Sequence, residues 1–194
     1  MRGELEEKIW ACAETDDVAG AVEAAVDAYG HELYGFIVQV VGSEVEAEDV
    51  HQELCVELWR QLPAFQWHSS FRTWAYRLAR GAVGNYYRGP ERTEVRLATQ
   101  DAGDLVANWS RTATQSWRKT ESGERLHDAC AGLPEDDRTL VSLRLTAAMS
   151  WKDIARVLEP EDTDADAITR RAAVLRGQFE RLKGTIPDDV SSSS

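Results

Sequence analysis

The sequence predicts an all-α protein made of two small helical domains joined by a flexible linker. Three observations carry this. Apolar residues recur at spacings of three and four, and few β-branched runs alternate with period two. Start and stop signals (Asp or Ser before a periodic run, Gly or Pro after it) bracket most of these runs. A polar stretch of about thirty residues without a clear period divides the chain, longer than an ordinary tight connection.

Taken in order, residues 1–16 form an N-terminal extension ahead of the first long helix. That helix is predicted over Asp16–Val41, with Val18, Val22, Val26, Tyr29, Leu33, Phe36, Ile37 and Val40 on related turns. Gly42-Ser43 breaks it and begins a second helix over about Glu44–Leu62. Val50, Leu54, Leu58 and Leu62 are its core stripe, Glu48, Asp49, Gln52, Glu53 and Glu57 lie elsewhere on its surface, and Pro63 ends it. After the loop PAFQWHSS, a third helix carries Phe71, Trp74, Ala75, Leu78, Ala79, Ala82, Val83 and Tyr86 inward. Thr73, Tyr76, Arg77, Arg80, Tyr87 and Arg88 are expected on its other side, and Gly89-Pro90 closes the first domain, residues 17–90.

Residues 91–123 read as the linker, with Trp109, Trp117, Arg118 and Lys119 suggesting contact with something other than solvent. The second domain spans residues 124–186. Leu126, Ala129 and Cys130 precede LPEDDR, where Pro134 suits the first turn of a helix packed by Leu140, Val141, Leu143 and Leu145. Ser150 is the N-cap of SWKDIARVL, with Asp153 completing an approximate capping box and Trp151, Ile154, Ala155 and Leu158 inward. AITRRAAVLRGQFERLKGTI follows, with Ile168, Ala172, Leu175, Phe179 and Leu182 as its core face. A helix, a turn and a basic second helix form a DNA-binding arrangement. Residues 187–194 are a polar, disordered tail.

Composition excludes several classes. With 43% hydrophobic and 29% charged residues, the chain is a core-former rather than a disordered polymer. MRGELEEKIW has no apolar run behind a basic start, and no stretch approaches a membrane span, so the expected compartment is the cytoplasm. Cys12, Cys55 and Cys130 are odd in number and far apart, which argues against a disulfide framework. His51 and Cys55 share a helix face, but without a ligand cluster around them they read as packing, and no metal or cofactor is expected.

The net charge is −12, yet no Asp or Glu occurs from Leu58 through Pro90. Arg60, Arg72, Arg77, Arg80 and Arg88 give that stretch +5, so the rest of the chain carries −17. An acidic total argues against a general nucleic-acid binder but not against one local face. The same stretch also concentrates aromatic rings, among them Trp67, Trp74, Tyr76, Tyr86 and Tyr87.

With these residues in view, the chain resembles the extracytoplasmic-function (group IV) sigma factors of bacterial RNA polymerase, in the sigma-70 family. AEDVHQELCVELWRQLPAFQWHSSFRTWAYRLAR, residues 47–80, is similar to their region two; LPEDDRTLVSLRLTAAMSWKDIARVL is similar to their region four. The resemblance implies a non-enzymatic polymerase subunit, with no catalytic residues, that recognises and melts promoters. Its implied partners are the polymerase core, promoter DNA and an anti-sigma protein. Core polymerase contact falls on Asp49, Gln52 and Glu53. The −10 element falls on the Gln66–Ser70 loop, chiefly Trp67, His68 and Ser69, and on Tyr76, Arg77, Arg80, Asn85, Tyr87 and Arg88. The −35 element falls on Thr169, Arg170, Arg171 and Arg176, with Trp151 and Lys152 near the DNA backbone.

Two departures stand out. Gly81 occupies a position where the family usually has Asn, and the turn Glu159–Asp166 is some three residues long for its type and carries five acids. Acids beside phosphates oppose binding, so a helix-turn-helix regulator or adaptor that keeps the fold but does not initiate is the alternative. A Mg²⁺-dependent helical enzyme would need paired acidic motifs on facing helices, and PEDDR and EDTDAD do not supply them.

Overall fold

The structure, a computed structural model, describes residues 4–88, 100–117, 130, 132–159 and 164–184. Its helices are α1 (Glu4–Glu14), α2 (Val18–Val41), α3 (Glu44–Gln61), α4 (Phe71–Arg88), α5 (Gln100–Trp117), α6 (Glu135–Leu145), α7 (Trp151–Leu158) and α8 (Ala165–Lys183). A 3₁₀ turn at Leu62–Ala64 contains Pro63, and no strand occurs among the described residues. The all-α expectation is met. Residues 89–99 and 118–129, including Arg118 and Lys119, lie outside the description, as do the Trp117 side chain, residues 160–163 of the acidic turn and the 187–194 tail.

α2 is the central rod. It is apolar around most of its circumference, which requires neighbours on every side. α1, α3, α4, α5 and α6 all pack against it. Its ends follow local chemistry: Asp17 accepts from the Gly20 N–H at 2.9 Å, and Gly42 closes the helix at φ 87°, a conformation that favours glycine. Ser43 then caps α3.

The N-terminal extension is an integral helix. Ile9 of α1 is fully buried, and the largely buried Glu6 accepts from the Arg72 N–H at 3.2 Å, one of the unpaired donors opening α4. Ser70 serves the same end, accepting from the Thr73 N–H at 3.1 Å.

The predicted linker contains α5, which packs against α2 and α3. Val106, Trp109 and Ala113 are buried, Trp109 lies 5.7 Å from the Trp59 ring, and a Cβ placed on Gly30 of α2 would sit 3.0 Å from the Ala113 Cβ. Helices approach this closely only where one contributes no side chain.

Pro134 sits at the N-cap of α6, whose first turn is Glu135, Asp136 and Asp137. Ser150 accepts from the Asp153 N–H at 3.2 Å and starts α7. Trp151 meets Phe179 of α8 edge-on at 5.5 Å, and Ile168, Ala172, Leu175 and Phe179 bury the inner face of α8. α6 lies on α2 and α7 lies on α4, so the two predicted domains adjoin.

Candidate polymerase and nucleic-acid interface

α3 carries the acidic candidates. Asp49 and Gln52 are exposed, while Glu53 is half-buried and accepts from Asn85 Nδ2 of α4 at 3.0 Å. A polar groove of about 310 Å³ separates this face from α5, lined by Glu48, Asp49, Gln52, Ser110, Arg111 and Thr114. Beneath it, the fully buried His51 pairs through Nδ1 with Ser110 Oγ at 3.0 Å and meets the Tyr34 ring edge-on at 5.6 Å. Burial lowers its pKa to about 4 and pushes the neighbouring Cys55 thiol up to about 12, so both are neutral near pH 7. The pair is a packing element, with Cys55 Sγ 3.8 Å from His51 Nδ1.

The loop before α4 feeds an aromatic cluster. Phe65 stacks on Trp74 at 4.5 Å, and the half-buried Trp67 ring lies 4.8 Å from Phe65 and 6.3 Å from Phe71. Trp67 has φ 56°, a left-handed backbone that a bulky residue adopts only when its surroundings impose it. His68 is exposed, and Ser69 donates to the Ser70 carbonyl at 3.3 Å.

On α4 the expected division holds for the arginines and fails for Tyr76. Tyr76 does not project with them: it is fully buried, with its ring 5.3 Å from Phe36 and the Arg72 guanidinium 5.4 Å above it. Thr73 is buried as well. The reason is a second inward stripe, Tyr76, Ala79 and Val83 at i, i+3 and i+7, which faces α2 and widens the buried arc. Sequence reasoning had that spacing available in Ala79 and Val83. Arg72 is structural too, clamping Glu32 through two bonds of 2.7 and 2.8 Å and reaching the Ala147 carbonyl at 2.6 Å.

The remaining strip is coherent. Arg77 is half-exposed without a polar partner among the described residues, and Arg80 donates to the Leu158 carbonyl at 3.4 Å. Asn85 accepts from Arg88. Tyr87 keeps an exposed ring while its hydroxyl donates to the Val40 carbonyl at 3.0 Å and accepts from Arg138 Nη2 at 3.2 Å. Arg138, on α6, is a contact that sequence reasoning missed. Gly81 lies on the exposed side, and a Cβ there would meet nothing within 4 Å.

On α8, Thr169, Arg170 and Arg176 are exposed and Arg171 is half-exposed. Two of the arginines are met by the acids before them: Arg171 pairs with Glu159 at 3.0 Å and Arg170 approaches Asp164 at 3.8 Å. Lys152 is exposed, whereas Trp151 is half-buried between Phe179 and the Arg144 guanidinium, 5.1 Å from its ring.

The chain matches the family description Sigma-70 region 2 over residues 25–93, which includes α3, the aromatic loop and α4. It is 32% identical over 145 residues to the RNA polymerase sigma-H factor of Pseudomonas aeruginosa, covering 72% of this chain and 75% of that one. The ECF RNA polymerase sigma-E factor of Haemophilus influenzae is 25% identical, covering 84% of this chain and 89% of its own length. The ECF RNA polymerase sigma factor SigX of Bacillus subtilis is also 25% identical, with 84% and 86% covered. An acidic α3 and an arginine-lined α4 thus fall inside the matched region, and relatives of the same kind extend the likeness over most of the chain. The chain belongs to the extracytoplasmic-function sigma factors of the sigma-70 family, the regulatory polymerase subunits that direct transcription initiation.

Proposed function

We propose that α1–α4 form the unit that docks on core RNA polymerase and melts the −10 element, and that α6–α8 form the unit that reads the −35 element. The observation that carries this is the strip on α4: Arg77, Arg80, Arg88 and the Tyr87 ring lie together in a stretch free of acids. Cations along phosphates and a ring for a base are what single-strand capture requires, and stacking contributes about 1–3 kcal/mol per base. Trp67, His68 and Ser69, in the loop before α4, are the further −10 contacts of this reading, with Asn85 on α4. Tyr76 is not part of this site.

Asp49, Gln52 and Glu53 are the core-polymerase contacts in this reading. On the −35 side, Thr169, Arg170, Arg171 and Arg176 face the groove and Lys152 lies near a phosphate. Trp151 supports them by packing against α8. The chain acts in the cytoplasm, where polymerase and chromosome are, and does no catalysis of its own. An anti-sigma protein that covers the two DNA-reading units is the expected regulator.

A second reading, a helix-turn-helix adaptor that does not initiate, draws on the pairing of Arg170 and Arg171 with the acids of their own turn. Transcription with purified core separates the two. A promoter-melting factor initiates at a cognate upstream region and loses that activity in Arg77→Ala/Arg88→Ala. An adaptor does not initiate in either form.

A further inference from the structure

We propose that α5 belongs to the surface that receives core polymerase, and that the core seats one face of a helix, carrying a cation and an acid, in the groove between α3 and α5. The proposal rests on the reading of α3 above. It extends that reading to a helix beyond the matched family region, which ends at residue 93.

The groove is bordered by two rows of side chains. On α3, Glu48 and Gln52 stand one turn apart with Asp49 beside them; on α5, Ala107, Arg111 and Gln115 repeat at i, i+4 and i+8. Rows at this spacing are the borders between which the side-chain ridge of a third helix seats. From Ala107 to Gln115 the α5 row runs about 12 Å at 1.5 Å per residue, a little over two turns. Two turns of a helix about 10 Å across fill about 900 Å³. A groove of about 310 Å³ therefore admits one face of such a helix and not the whole of it.

The floor is already tied together. Ser110 Oγ bonds to His51 at 3.0 Å, and Thr114 donates to the Ser110 carbonyl at 2.9 Å. The Trp59–Trp109 contact and the close approach of Ala113 to Gly30 hold α5 in place. The walls stand apart before any partner arrives, so binding does not have to order them.

Charge sits on the rims. The α3 rim carries Glu48 and Asp49, and the α5 rim carries Arg111, which is exposed and has no hydrogen bond or ion pair among the described residues. Arg111 lines the same groove as two carboxylates and pairs with neither. Opposite charges on facing rims select a partner with both signs in complementary order, its base toward α3 and its acid toward α5. A nucleic-acid strand, uniformly anionic, meets Glu48 and Asp49 and is repelled. Asp49 and Gln52 line the groove and are also core contacts in the reading of α3, so a core seated on that helix borders the groove at once.

Binding of the full chain to purified core polymerase tests this with Arg111→Glu and Ala107→Trp. The first reverses the α5 rim at an exposed position, and the second fills the wall. Each should weaken core affinity about tenfold or more, with the Tm of Arg111→Glu unchanged. Thr112→Glu, exposed on α5 but outside the groove, also adds a carboxylate and should bind as the wild type does. Where Ala107→Trp does not fold, Arg111→Glu decides alone. Unchanged or tighter binding by Arg111→Glu overturns the inference; Asp49→Ala, weakened in the same assay, then leaves the reading of α3 standing. An equal loss in Thr112→Glu overturns it as well, as an effect of net charge. A wild-type chain that does not bind core overturns the reading of α3 and the inference together.

Discussion

α4 and α8 are both arginine-bearing helices, and they hold their cations differently. On α4 no acid lies within the helix or the loop before it, and Arg80 meets a backbone carbonyl of the other unit. On α8 the acids arrive with the arginines: Asp164 caps the helix through the Asp166 and Ala167 N–H groups and also approaches Arg170, while Glu159 holds Arg171. A backbone carbonyl carries no net charge, so it leaves the Arg80 cation unneutralised. A carboxylate anchored in the same turn stays and competes. On the proposed assignment, α4 brings cations without acids of their own helix to −10 and α8 brings self-screened ones to −35, so promoter discrimination should weigh more heavily on the −10 side.

The sharpest way to break this comparison is to remove cations from each helix. Arg77→Ala/Arg88→Ala should cut initiation at least about a hundredfold, since charge-assisted contacts contribute about 1.5–3 kcal/mol each. Arg170→Ala/Arg171→Ala should cost less than about tenfold in the same assay, because each loses a competing carboxylate along with its phosphate. Equal losses would remove the distinction.

Acid probes the scaffold under α3. His51 stays neutral in the fold, so below about pH 6.5 the unfolded chain takes up a proton that the folded one refuses. Stability should therefore fall between about pH 6.5 and 4, by about 3 kcal/mol in total. Denaturant melts of wild type and His51→Gln across that window check it: the difference between them should carry a one-proton slope.

Releasing one screened cation sharpens the other side. Glu159→Gln frees Arg171 from an exposed pair of about 0.2–1 kcal/mol, and −35 duplex binding should rise by a few-fold at low salt. The smallest effect is at Gly81, where a Cβ meets open space: Gly81→Ala should stabilise by about 0.5–1 kcal/mol, raising Tm by a few degrees.

Much of the fold was written in local signals. Gly42, Ser43, Pro63 and Ser150 mark helix ends in the sequence and do so in the structure, whereas the first long helix, expected from Asp16, begins at Val18 with Asp17 as its cap. α5 escaped because half of its inner face is small and polar: between Val106, Trp109 and Ala113 sit Ser110 and Thr114, buried but satisfied by His51 and by a carbonyl of the same helix. A period search on hydrophobicity cannot see a stripe built that way. Tyr76 was misplaced because α4 buries two adjoining stripes, and an arginine-flanked tyrosine looks polar until Phe36 is set against it. The hydrogen bond from Ser142 to Gln39 was out of reach, since the two are 103 residues apart and only packing brings them together. Gln39 did leave a trace, as a lone amide within the apolar run of α2.

The Gly30–Ala113 crossing also bears on how such proteins can be recombined. A chimera joined at Gly89, just after α4, would separate α5 from the glycine that admits it and leave the foreign helix without a seat. Cutting after Trp117 keeps the crossing within one parent. The natural unit of exchange is therefore the first 117 residues, with the helix inside the nominal spacer travelling with α1–α4.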